Sequence, residues 1–174
     1  MLDDTPLSQT VVLVDTNVII EAVRTATWNA LTGALRVETV RECHDEAERG
    51  DPTNPGYVVV SSADLRRLHR VHDVTQGELA EYLLEDVGAS GLDAGEQHLF
   101  AHALQRARHG DTVWVLCSAD KAAIRAAVRV KIHDQLRSLE EMSNAVGARP
   151  VSPYKRHFET LFLAKYRTEY LLGG

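Results

Sequence analysis

Sulfur is scarce in this chain: 174 residues contain two cysteines and two methionines. Cys117 lies in an apolar run and Cys43 in a stretch of helical spacing, so both read as buried small hydrophobes, and neither a disulfide nor a cysteine-based metal site is expected. No apolar run approaches the roughly 18 residues that span a bilayer. The opening Met1-Leu2-Asp3-Asp4 is acidic where a secretion signal would be basic, so the expectation is a cytoplasmic chain without membrane contact. A Gly-rich phosphate loop, a dinucleotide fingerprint and a nucleophile elbow are missing too, which removes the commonest routes to nucleotide binding and serine hydrolysis. There is no internal repeat and no low-complexity segment.

What is present is ordinary in bulk. With 44% hydrophobic and 25% charged residues, the length suits one well-cored domain. The formal charge of −6 argues against a protein that coats nucleic acid non-specifically and leaves room for a local basic groove.

The informative stretch comes early. Val11-Val12-Leu13-Val14 reads as a strand buried on both faces, and it stops at Asp15-Thr16-Asn17. Ligands of open α/β sheets sit beyond the carboxyl ends of the strands, which puts Asp15 in a crevice, with Thr16 or Asn17 capping the helix that follows. Helices are predicted over 18–25 and 28–35. Residues 37–49 read as one further helix with a thin apolar stripe of Val37, Val40, Cys43 and Ala47 and an acidic remainder, closed by a loop over 50–56.

Residues 57–60 predict a second strand, with Ser61 or Ser62 capping a helix through Leu65, Leu68 and Val71. Capping boxes stand at Thr75 with Glu78, Asp93 with Glu96 and Ser138 with Glu141, each opening a helix. Residues 112–117 form a buried strand that turns through Ser118-Ala119-Asp120 into a helix, and 130–132 predict a last short strand. From Tyr154 to Leu172 an amphipathic helix places Phe158, Leu161, Phe162 and Tyr166 on one face. Strands alternating with helices predict an α/β fold, a three-layer sandwich with a mainly parallel central sheet flanked by helices.

Two predicted strands thus end in a carboxylate at the same end of the sheet, Asp15 directly and Asp120 after a two-residue turn. Clustered carboxylates raise one another's pKa unless a cation joins them, and an oxygen-only ligand set selects hard ions such as Mg²⁺ or Mn²⁺. Glu96, at a helix start, and Glu42, in the acidic helix, are further candidates; the plain readings are a capping box for Asp93 and Glu96 and a solvated acid for Glu42. Four such acids around one or two ions could activate a water and hold a phosphodiester. Lys121, Arg125 and Arg129 recur at i, i+4, i+8 on one helical face, which makes them either a phosphate-binding stripe or a solvated face; Arg24 and Arg41 could line the other side. His98 and His102, at i, i+4 without a third ligand, read as packing or surface residues.

The order of these motifs resembles the PIN-domain family: Val-Leu-Val-Asp15-Thr16-Asn17, then Thr39-Val-Arg-Glu42, then Asp93-Ala-Gly-Glu96 with Ala101 and Ala103 behind it, then Leu-Cys-Ser118-Ala119-Asp120. Members are metal-dependent ribonucleases, many of them toxins of bacterial toxin–antitoxin modules. The resemblance covers residues 10 to 146; it implies a PIN-like nuclease domain over 1–150, with 151–174 a helical extension packed on the same domain. It implies an acidic quartet of Asp15, Glu42, Glu96 and Asp120, with Asp93 competing for the third place and Glu38 or Glu46 for the second. It implies support from Asn17 and Ser118, an RNA substrate, an antitoxin protein as partner and a homodimer. The apolar face of 154–170, or the helix around Trp28 and Leu31, is where a partner would dock if it does not pack on the domain's own core. A catalytically silent scaffold and a receiver-type phosphoacceptor remain as alternatives; a receiver would want paired acids early and a lysine ending a late strand, and Asp15 stands alone.

Overall fold

The structure, a computed structural model, describes residues 6–50, 52–110 and 113–173. The acidic opening, Asp51 of the predicted loop and the first residue of the predicted 112–117 strand lie outside the described residues.

Five parallel strands stand in the order β3-β2-β1-β4-β5. They are β1 (Val11–Val14), β2 (Arg36–Val40), β3 (Arg70–His72), β4 (Trp114–Cys117) and β5 (Leu136–Arg137). β1 is central, with Val12 opposite Val37 on one side and Val115 on the other. Its alternation divides the core. Val11 and Leu13 face a cluster with Tyr82, Leu99, Phe100 and Ile124, whereas Val12 and Val14 face one with Val18, Ile19, Trp28 and Met142. Being covered on both faces is why β1 and β4 read as unbroken apolar runs.

The first layer holds α5 (Gln76–Glu85), α6 (Ala94–His109), α7 (Lys121–Arg129) and α9 (Thr160–Leu171); the other holds α1 (Thr16–Arg24), α2 (Trp28–Ala34) and α8 (Leu139–Ala145). The short α4 (Ser62–Leu65) contributes Leu65 to the second cluster, and α3 (Arg41–Arg49) bridges both with Cys43 and Ala47. The fold is therefore the α/β three-layer sandwich. Among the described residues no helix is long and apolar enough to cross a membrane.

Several local expectations are corrected. Residues 37–49 are not one helix: β2 runs to Val40 before α3 begins. Val37 and Val40 satisfied a helical spacing, yet β-branched Val37, Thr39 and Val40 are buried strand residues beside β1. Residues 57–60 are not a strand; β3 lies later, where Val71 pairs with Thr39, and the helix capped by Ser61 stops at Leu65. The strand foreseen at 130–132 is a turn with Lys131 at φ 61°, and the edge strand is β5. α9 begins at Thr160, after a 3-10 turn holding Phe158; Leu163 and Tyr170 are its buried side, while Leu161 is 82% exposed. All three predicted capping boxes form, and Ser61 with Asp64 makes a fourth. Both cysteines are free and buried.

Candidate metal centre

The strand order reverses at β1, between β2 and β4, so the crevice of a parallel sheet opens at the carboxyl ends of β1 and β4. Three helices begin there with carboxylates. Asp15 itself, rather than Thr16 or Asn17, caps α1: its Oδ1 accepts the Val18 N–H at 2.8 Å, and its Oδ2 accepts the Ser118 hydroxyl at 2.5 Å. Ser118 thereby ties the end of β4 to the end of β1. Asp120 caps α7 by accepting the Ala122 N–H, and Asp93 caps α6 by accepting the Glu96 N–H at 2.8 Å, while Glu96 Oε2 accepts the Asp93 N–H. Every carboxylate lies at the positive end of a helix dipole.

That field does not compensate them fully. Asp15 is 2% exposed, and burial, reinforced by the charges of Asp93 and Asp120, pushes its pKa up to about 6 against the Ser118 and Val18 hydrogen bonds. Glu96, 8% exposed, is pushed up to about 8 by burial and then by Asp93, Asp15 and Asp120. Neither has a cationic side chain as partner among the described residues. Asp15, Asp93, Glu96 and Asp120 thus form one electrostatic group. The oxygens do not close to single-ion distances: the one described set of three ligand atoms within 4.8 Å is His44, Asp45 and Glu48, on α3.

α3 brings a second row of acids. Thr16 Oγ1 donates to Glu46 Oε2 at 2.8 Å. Gly95, at the start of α6, permits this approach: a Cβ there would meet Cys43 Sγ at 3.1 Å, Glu46 Oε2 at 3.3 Å and Asp93 Oδ1 at 3.4 Å. Glu42 is one helical turn away, with Oε1 3.3 Å from His98 Nε2 and Oε2 buried without a hydrogen-bond partner. Glu42, Glu46 and Arg49 line a cavity of about 590 Å³ with Thr16 and the exposed Asn17. Asp15 and Glu96 without a cationic partner, and the orphaned oxygen of Glu42 on the neighbouring α3, all offer oxygen, the donor chemistry that suits a hard divalent cation. Glu38, an alternative for the second acid, is elsewhere: it lies in β2, and its Oε2 binds His72 Nε2 at 2.7 Å and Arg106 at 3.0 Å. His102 stacks on His72 at 4.0 Å and so is a packing residue, as expected.

The basic stripe divides. Arg129 is bound to the buried Asp86. The Lys121 ammonium lies 4.2 Å from the centre of the Tyr166 ring and Arg125 4.5 Å from that of Tyr170, so α9 packs over the stripe. Arg24 is tied to Glu21 and the Pro153 carbonyl, and Arg41 to Asp73. Gly95 and Arg49 are not among the site residues the sequence predicts; the Asp-Ala-Gly-Glu spacing is the available signal for the first. No family model, curated protein or solved structure matches the chain.

Proposed function

We propose that this chain is a ribonuclease of PIN-domain type that works with Mg²⁺ or Mn²⁺, held by Asp15, Glu96 and Asp120 with Asp93 beside them and α3 supplying Glu42 or Glu46. One observation carries the proposal: of the five buried acids among the described residues, only the two at the carboxyl ends of the sheet lack a cation. When bound, a divalent ion stabilises charge on a phosphodiester in the transition state and makes water a better nucleophile.

The chain's own residues do the rest. Ser118 fixes the Asp15 carboxylate through a hydrogen bond, the kind of outer contact worth about 10–100-fold in metal affinity or activity. Asn17 stands exposed at the rim of the cavity lined by the α3 acids, placed to hold a substrate oxygen by its amide. Arg49 and Lys121 offer positive charge to the phosphates on either side of the acids. The PIN resemblance extends the proposal to a cytoplasmic toxin neutralised by an antitoxin protein, and to a homodimer.

The test is cleavage of a mixed RNA pool by the purified chain with Mn²⁺, and by Asp15→Asn. Asparagine keeps the helix cap and removes the charge. The proposal expects metal-dependent cleavage that Asp15→Asn abolishes; full cleavage by a folded Asp15→Asn overturns it.

A further inference from the structure

Beside the acids lies a second cavity, of about 450 Å³, lined by Asn17, Ala119, Asp120, Lys121, His157 and Phe162. Its volume falls in the range of small-ligand sites, ~300–1,000 Å³. It shares Asn17 with the cavity bounded by α3, so the two meet at the same rim residue. Four of its six lining residues belong to the ends of β1 and β4 and the starts of their helices. The other two are aromatic and come from the C-terminal segment.

Those rings are held in place. The Phe162 ring packs on Tyr166 at 4.6 Å, and Tyr166 is in turn covered by the Lys121 ammonium. His157 packs at a tilt against the buried Phe158, ring centres 4.3 Å apart, and meets Phe162 edge-on at 6.4 Å. Phe162 nevertheless remains half-buried and His157 exposed, both lining the cavity. Flat rings, an amide with both donor and acceptor, and a single ammonium are the parts that hold an unstacked base and its phosphate. A ligand that is anionic throughout would be repelled by Asp120; a neutral base carried on a phosphate that reaches Lys121 is not.

We propose that this cavity receives one unstacked nucleobase of single-stranded RNA, the one adjoining the scissile phosphate, stacked on Phe162 with His157 against its edge and its phosphate at Lys121. The inference rests on the ribonuclease reading and deepens it. It also gives the C-terminal segment a role: α9 packs over the basic face of α7 and completes a base pocket at the acids.

The experiment uses the full chain and fluorescence anisotropy with a short single-stranded oligoribonucleotide and its abasic counterpart, with Ca²⁺ in place of Mg²⁺ so that binding is read separately from cleavage. The parent oligomer is expected to bind about tenfold tighter than the abasic one, the effect of one base–aromatic stack. Phe162→Leu, which keeps the apolar bulk, and His157→Ala, at an exposed ring, are each expected to shrink that ratio toward one; Phe162→Tyr is expected to preserve it. Equal affinity for the two oligomers in the wild type, or a ratio unchanged in both Phe162→Leu and His157→Ala, overturns the pocket. Mn²⁺-dependent cleavage with a ratio of one overturns the pocket and leaves the ribonuclease standing. A Phe162-dependent ratio without cleavage supports the pocket and overturns the ribonuclease. Absence of both binding and cleavage overturns the two together.

Discussion

Among the described residues, buried acids occur in two settings. Glu21 is bound by Arg24, Glu38 by His72 and Arg106, and Asp86 by Arg129 and the Tyr82 hydroxyl; in all three the partners hold the carboxyl below its usual range although burial pushes it up. Asp15 and Glu96 meet hydroxyl and backbone donors and other acids, and burial prevails, to about 6 and about 8. The first three are spread through the structure and join elements. The last two sit together where the strand order reverses. A buried charge is tolerated when it is paired; Asp15 and Glu96 have no cationic side chain beside them, and the proposed function gives that place to a cation from solution.

The sharpest way to break this contrast is to neutralise one acid of each kind. Asp86→Asn is expected to cost about 3–5 kcal/mol in urea unfolding, because it leaves the Arg129 charge without its partner. A loss under about 1 kcal/mol would show that pairing is not what separates the two groups.

The pH dependence comes next in size. Glu96 holds its proton more tightly folded than unfolded, so its contribution is full below the ordinary glutamate value and is lost as pH rises toward 8. His102, held down near 4 by burial, slopes the other way up to the ordinary histidine value of about 6.5. Between about pH 6.5 and pH 8 the metal-free protein should therefore lose on the order of 1 kcal/mol, and Glu96→Gln should flatten that slope. Thermal melts at stepped pH check it. The smallest effect belongs to Asp15→Asn, which relieves the repulsion and keeps the cap: stability of the metal-free chain should stay within about 1 kcal/mol of wild type, or rise.

The strands ending in Asp15 and Asp120 were legible in the sequence because burial on both faces writes an unbroken apolar run, and the helix starts because capping boxes are local. β2 was not, since its valines also fit a helical period, and β3 and β5 are edge strands of three and two residues, too short for a pattern. Among the acids, the grouping of Asp15 with Asp93, Glu96 and Asp120 follows from strand ends and caps. Which α3 acid joins them depends on how that helix packs on Gly95, and helical spacing alone offers Glu42 and Glu46 equally. That Glu38 belongs to a different network depended on a partner 68 residues away.

The central claim is that the unpaired acids take a divalent cation, and calorimetric titration of Mn²⁺ into wild type and Asp15→Asn at pH 7 tests it most directly. The account predicts saturable binding by the wild type with proton release, since Glu96 must give up its proton to act as a ligand, and no binding at this site in Asp15→Asn. Binding that is absent from the wild type, or identical in the two proteins, would contradict it.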